Sequence, residues 1–458
     1  MGAGSMGEGS TMEQSGAEFN GMETTGRFLV LMRQDAVKES VDALKEGIGL
    51  KRVASAASFK GGAVDAKTLE NEKAIVFPDL GVAVVDVPPD QHGQLGAMAA
   101  EENGILLVEP ERRVHVFESR TAVGGASPSA TMTSDYLLGY RDAVNHLVGQ
   151  MTGSNGSNGS TTALMPAAGP TFADTAELTW GLQATRVSES KFTGTGVKVA
   201  VLDTGFDLGH PDFVGRPITS QSFISGETVQ DEHGHGTHCI GTALGPRVPT
   251  TLPRYGIAYN AKIFAGKVLS NAGSGSDSGI LAGINWAINN GCSVISMSLG
   301  AETQPGQTFS RIFEEVARRA LAAGTLIVAA AGNESDRPLS IAPVGHPANC
   351  PSILSVGALD SQLRIARFSC GGINPQGGQV DIAAPGVAVR SSWKRPLTYR
   401  TISGTSMATP HVAGIAALLK EANSAMVGGA LGWLLLQSSR RLDLPARDAG
   451  AGLVQAPV

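Results

Sequence analysis

The chain has 458 residues, 42% of them hydrophobic, and 35 basic against 41 acidic side chains, for a formal net charge of −6. That length exceeds one ordinary domain and the apolar content suffices for substantial cores, so two folded units joined by linkers are expected. The acidic balance, with no basic patch interleaved with aromatics, argues against nucleic acid or an anionic membrane as the main partner. No apolar run reaches the roughly 18 residues that a membrane span requires.

Residues 1–26 are rich in Gly, Ser and Met and read as a disordered tail. They lack the basic and apolar regions of a conventional secretion signal, which leaves the cytoplasm, another export route or a misassigned start. From Arg27 the pattern RFLVLMR predicts a strand. Ala36 to Ile48 then reads as an amphipathic helix, with Val37, Val41, Leu44 and Ile48 on one face. Strands are expected over Lys73 to Phe77 and Gly81 to Val87, a helix over Gln91 to Asn103, and a closing strand pair over Ile105 to Val108 and Arg113 to Val116. The order β-α-β-β-α-β is a ferredoxin-like arrangement for residues 27–117.

Residues 118–179 read as a linker. A helix is expected over Asp135 to Met151, followed by TGSNGSNGSTT, a flexible, exposed and easily cut run with sequons at Asn155 and Asn158. In residues 180–458 strands and helices alternate: strands over Val197 to Leu202, Lys262 to Val268, Val294 to Ser298 and Leu326 to Ala330, helices over Gly279 to Asn289 and Thr308 to Ala323. Such repetition, with 59 glycines for tight βα turns, predicts an α/β domain built on a parallel sheet with helices on both faces. Functional groups should gather at its carboxyl edge.

Three segments of this domain carry chemistry: AVLDTGFDLGHPDF from Ala200, DEHGHGTHCIGT from Asp231 and TISGTSMATPHVAG from Thr401. They supply Asp203 at a strand end, His235 at a Gly-spaced helix start, and Ser406 at the head of an apolar helix. A serine hydroxyl is a weak nucleophile at neutral pH. It needs an imidazole to take its proton and a carboxylate to orient that imidazole. The chain order Asp, His, Ser is that of the subtilisin type of triad. A zinc site from His233, His235, His238 and Cys239 has workable spacing but no further acid or thiol nearby to close it. His210, His233, His238 and His411 are read as structural.

These segments resemble the signatures of subtilisin-like serine peptidases, and a fourth, LIVAAAGNES from Leu326, adds Asn333 at the position of that family's oxyanion-hole asparagine. The resemblance covers about Trp180 to the C-terminus. It implies an endopeptidase in which Asp203, His235 and Ser406 act as triad and Asn333 with the Ser406 N–H holds the oxyanion. It further implies that an extended peptide substrate lies between Ser274, Gly275 and Ser276 on one side and Ser298, Leu299 and Gly300 on the other. Ala330, Ala331 and Gly332 would line the first specificity pocket and Glu334 its rim, which suits a broad preference including large apolar side chains. The segment 27–117, ending in LLVEPERRVHVF, resembles the family's inhibitory propeptide, an intramolecular partner in a self-processed precursor. A peptide ligase or cyclase on the same site, or a catalytically silent peptide-binding scaffold, are the alternatives.

No cofactor is expected. Calcium is a family habit, and Asp212 matches an aspartate that ligates it in some relatives, but residues 245–259 lack the Asn-rich binding loop, so no metal ligand is assigned. The cysteines at 239, 292, 350 and 370 form no CxxC pair and suit free thiols, with a Cys350 to Cys370 bridge left open. Cys239 lies on the helical face of His235, as in the family's thiol-bearing branch, which implies sensitivity to mercurials. Met407, next to the nucleophile, invites sulfoxide formation.

Overall fold

A computed structural model of the chain describes residues 23–99, 103–117 and 171–458. The expected helix at Asp135 to Met151 and the Gly/Ser/Asn run lie outside the described residues.

The first unit runs β1 (Thr24–Met32), α1 (Val37–Ile48), β2 (Ala54–Ser55), α2 (Ala66–Asn71), β3 (Ala74–Phe77), β4 (Val82–Val85), α3 (His92–Met98) and β5 (Ile105–Val116). Its strands lie in the order β5-β1-β4-β3-β2; β1 is antiparallel to both β4 and β5. Both sheet faces are buried, which is why RFLVLM reads as continuously apolar rather than alternating. Val30, Met32, Ala83 and Val85 pack under α1 and α3 with Leu44, Ile48 and Leu95. Leu29, Leu31, Val82 and Val84 point the other way, into the core of the following domain.

Two expectations are corrected here. The third helix stops at Met98, not Asn103. The closing pair of strands is one 12-residue strand, β5. Pro110, which suggests a break, is tolerated in this antiparallel setting opposite Phe28. Beyond it Arg112 still faces Thr24 of β1, and from Arg113 to Val116 β5 pairs with two short strands of the second domain, so the single strand links both domains.

That domain continues with α4 (Trp180–Ala184), β6 (Lys198–Asp203), β7 (Ile218–Ser222), α5 (His235–Leu244), β8 (Lys262–Lys267), β9 (Ser274–Ser276), α6 (Asp277–Asn289), β10 (Val294–Met297) and β11 (Leu299–Gly300). It closes with α7 (Arg311–Ala322), β12 (Leu326–Ala330), β13 (Leu354–Leu359), β14 (Ile382–Pro385), the hairpin β15 (Val389–Ser392) and β16 (Tyr399–Ile402), α8 (Thr405–Ala422), α9 (Gly429–Ser438) and α10 (Ala446–Ala449). Seven strands form a sheet in the order β14-β13-β12-β10-β6-β8-β7, and every pairing within it is parallel. Helices α6 and α7 cover one face, where they meet the first unit, and α5 and α8 cover the other. The strand order reverses around β6, so its C-terminal residue Asp203 stands at the switch point where α/β sheets place their sites. Among the described residues no helix is long and apolar enough to cross a membrane.

Candidate active site

Asp203 ends β6, His235 opens α5, and Ser406 is the second residue of α8. All three are buried. Gly234, at φ +107, turns the chain sharply into α5 in a conformation other residues resist. His235 Nδ1 lies 2.7 Å from Asp203 Oδ1, and the same oxygen accepts the Thr204 N–H at 2.7 Å. Burial pushes the His235 pKa down, but the charge and hydrogen bond of Asp203 outweigh it, with Cys239 adding to them; the result lies well above the usual 6.5.

Ser406 Oγ is turned to the carbonyl oxygens of Phe117, at 3.4 Å, and Ser298, at 3.3 Å. Among the described residues His235 Nε2 has no hydrogen-bond partner. The imidazole is thus held from its Asp203 side, with Nε2 left open. Such bonds commonly tighten only when reactant is in attacking position.

Asn333 donates from Nδ2 to the Phe117 carbonyl at 2.7 Å, while its Oδ1 accepts both the backbone N–H and the hydroxyl of Thr405 at 2.9 Å. The amide is therefore oriented by the residue preceding Ser406. The end of β5 occupies the cleft. Val114, at Gly275, and the flanking Arg113 and His115 pair antiparallel with β9, while His115 and Val116 pair antiparallel with Gly300 and Leu299 of β11. Ser298 lies outside this ladder, its hydroxyl donating to the Ser406 carbonyl at 2.9 Å.

The Phe117 ring fills a recess walled by two glycines. A β-carbon on Gly300 would stand 2.5 Å from it and one on Gly345 3.0 Å. Gly345, which sequence reading does not single out, is joined to the Ala330–Gly332 segment by its N–H to the Ala331 carbonyl. Gly332 itself adjoins Glu334 and Cys370. The Cys370 thiol donates to Glu334 Oε2 at 3.1 Å. Burial, only partly offset by that bond, raises the Glu334 pKa.

The docked strand also carries two acids to helix starts. Glu109 accepts from the Ser310 hydroxyl at 2.6 Å and the Arg311 N–H at 2.9 Å, at the start of α7. Glu111 accepts from the Ser278 N–H at 2.8 Å, in the first turn of α6. Carboxylates there complete unsatisfied N–H groups and meet the positive end of the helix dipole.

The remaining histidines are occupied elsewhere. His238 Nε2 lies 3.1 Å from the Val389 carbonyl, with burial and neighbouring His235 pushing its pKa to about 3. His210 and His411 bond the carbonyls of Thr398 and Met407. The zinc arrangement with His238 is thereby lost; among the described residues the compact set of donor atoms is Asp203, His235 and Cys239. Cys239 Sγ sits 3.8 Å from His235 Nδ1, and burial raises its pKa to about 11. All four cysteines are buried free thiols, so Cys350 and Cys370 are not bridged.

Asp212 does not fit a cation site. Its carboxylate takes the Tyr255 hydroxyl at 2.6 Å, the Thr250 N–H at 2.6 Å and the Tyr399 hydroxyl at 2.9 Å. Two phenols and an amide stand where a metal's other ligands would have to be acceptors.

A parallel α/β sheet presenting an acid, an imidazole and a serine at its carboxyl edge, beside an amide donor, defines a class of proteins built for nucleophilic chemistry at a carbonyl. A sequence model of the subtilase family matches residues 194–452, more than half of the chain, and the chain belongs to that family. It is 42% identical over 240 residues to Subtilisin E of Bacillus subtilis (strain 168), covering 52% of this chain and 59% of that protein. With Subtilisin DY of Bacillus licheniformis it shares 40% over 239 residues, 52% of this chain and 81% of the relative. The solved structure of Sphericase superposes with a TM-score of 0.52 at 31% identity, over 61% of this chain and 98% of its own. The first unit precedes the stretch matched by the family.

Proposed function

We propose that the chain is a serine endopeptidase made as a precursor that cuts itself after Phe117 and stays restrained by the first unit. The observation that carries this reading is the Phe117 carbonyl, which meets Asn333 Nδ2 at 2.7 Å and Ser406 Oγ at 3.4 Å while its strand is hydrogen-bonded along the cleft. That is the pose of a substrate acyl group beside its nucleophile.

Ser406 attacks the carbonyl while His235 takes its proton and Asp203 holds the imidazole. Asn333, with the Ser406 N–H at the head of α8, stabilises the oxyanion; a donor of this kind is worth roughly 100- to 1000-fold in kcat. His235 then protonates the leaving amine, and water releases the acyl half by the reverse path. The glycine-walled recess around Phe117 supports a preference for large apolar residues before the cut. Peptide or protein substrates would add between β9 and β11 as β5 does.

The test is to express the wild type and Ser406→Ala and compare fragment masses. A wild-type-specific cut after Phe117 is expected, and an intact S406A chain. Cleavage persisting in S406A, or a wild type that never cuts, sinks the reading.

A further inference from the structure

We infer that Asp231, acting through Thr204 and Thr237, is a positioning residue that sets the Asp203–His235 couple. The inference rests on the peptidase reading above and adds to it a residue that touches neither substrate nor reacting atoms.

Asp231 is fully buried four residues before His235, and its carboxylate is saturated by five donors, none of them a cation. Oδ1 accepts the N–H groups of His233 at 3.0 Å and Gly234 at 2.7 Å, so it fixes the loop that turns into α5. Oδ2 accepts the Thr237 N–H at 2.9 Å and the Thr237 hydroxyl at 2.7 Å, so it also anchors the first turn of the helix that carries the imidazole.

The fifth donor makes the connection to the acid. The Thr204 hydroxyl gives its proton to Asp231 Oδ1 at 3.0 Å and accepts the Gly236 N–H at 2.9 Å. Thr204 follows Asp203 directly, and its own N–H donates to the Asp203 oxygen that holds His235. One side chain thus ties the end of β6, the approach loop and the start of α5 into a single rigid joint, with Asp203 and His235 on its two arms.

Lys267 braces the same joint from β8. Fully buried and in register with Asp203, it donates from Nζ to the Thr204 carbonyl at 2.6 Å and to Asn271 Oδ1 at 2.9 Å. Asn271 in turn accepts the Glu232 N–H at 3.1 Å, and Glu227 lies 3.1 Å from Nζ. A buried carboxylate with every lone pair engaged and a buried ammonium on the opposite side leave the joint no alternative arrangement of comparable energy.

Replacing Asp231 by Asn keeps the shape but puts an NH2 against at least one N–H: that of Thr237 if it takes the Oδ2 position, where the Thr237 hydroxyl can turn to accept, or those of His233 and Gly234 if it takes the Oδ1 position. The joint must then relax, and displacement of a catalytic pair by about 1 Å costs roughly 100-fold in rate. The groups facing His235 are Asp203, Cys239, His233 and His238. Of these Asp203 is the main support of the imidazolium, with Cys239 adding to it. Loosening the couple therefore lowers the pH at which His235 loses its proton, a shift that simple loss of folded protein does not produce.

The experiment measures kcat, KM and the acid limb of kcat/KM on a chromogenic peptide carrying Phe before the scissile bond, using processed enzyme normalised by active-site titration. Asp231→Asn is expected to lower kcat about 100-fold with KM within about twofold and to move the acid limb to lower pH. A kcat within about threefold of wild type with an unmoved limb overturns the inference. Should D231N not fold, Thr237→Val, which removes the hydroxyl, is set against Thr237→Ser, which keeps it. A drop of about tenfold in T237V alone supports the inference, and equal behaviour of the two overturns it. In the uncleaved S406A chain, the low-field proton resonance of the Asp203–His235 hydrogen bond should be present and should vanish on adding D231N. This readout decides the positioning role even if the wild type proves to hydrolyse nothing.

Discussion

His235 is governed by two opposed effects of its surroundings. Burial disfavours its charge and Asp203 favours it, and the second wins, so its pKa lies above 6.5. The stabilisation from the charged pair is fully present below the unfolded value and is lost as pH rises through the folded one. The proposed peptidase activity runs the opposite way, because only neutral imidazole could take the Ser406 proton. Activity should therefore appear as pH rises through a value above 6.5, which a pH profile of kcat/KM with an uncharged substrate checks. Cys239 meets the same imidazole from below at 3.8 Å, as a thiol pushed up to about 11 by burial. Mercuric ion, which binds soft sulfur, should inactivate the enzyme reversibly on adding dithiothreitol, and Cys239→Ala should remain active under the same treatment. Met407, which sequence reading marks as prone to oxidation, has its side chain buried in the core beside α5.

At the scale of elements, the informative piece is β5, whose first half pairs with β1 of the first unit and whose last residues pair with β9 and β11 across the cleft of the second domain. The two acids on it, Glu109 and Glu111, each complete the start of a helix in the neighbouring domain. Such a charge contributes up to about 2 kcal/mol when partly buried. If the chain cuts after Phe117 as proposed, replacing both by Gln should speed dissociation of the first unit from the cut product by roughly 30-fold or more, seen as a shorter lag before activity appears. The strands flanking the cleft were legible from resemblance, whereas the recess depends on Gly345, far from Gly300 in sequence. Gly345 has an ordinary φ, but an alanine β-carbon there would stand 2.9 Å from the Ala301 carbonyl and 3.0 Å from the Phe117 ring, so both walls of the recess must give. Gly345→Ala should cut the Phe-over-Ala preference at the cleavage position by about tenfold, read as a ratio of kcat/KM values.

Across the whole molecule, Asp212 joins three distant stretches: its own turn, the 250–255 loop through Thr250 and Tyr255, and the hairpin through Tyr399. Burial raises its pKa, but the hydrogen bonds of Tyr255, Thr250 and Tyr399 outweigh this and leave it lowered. The stabilisation is thus present above the unfolded value near 3.9 and is lost as pH falls through the folded one. Because the site is half-open to solvent, Asp212→Asn should cost only about 1–2 kcal/mol in denaturant unfolding. Calcium or a chelator should leave that difference unchanged. A calcium-dependent difference between the two proteins would show that a cation competes for this carboxylate.

The periodicity of apolar residues and the Gly-spaced motifs by themselves determined the alternating α/β order and singled out Asp203, His235 and Ser406, while Asn333 came from the resemblance to subtilisin-like serine peptidases. These are local properties: a strand end, a helix start and a turn glycine each leave a mark within a dozen residues. Only the tertiary structure decided that Ile105–Val116 is one strand rather than two, since its second half is ordered by partners more than 150 residues away. For Asp231 the local donors on His233, Gly234 and Thr237 lie close by in sequence, but its link to the acid arm through Thr204 exists only across the sheet edge. The same holds for Asp212, whose ligands are phenols contributed by Tyr255 and Tyr399. Long-range hydrogen bonds of single polar side chains have no period and no spacing, and they exist only once the sheet has brought their ends together.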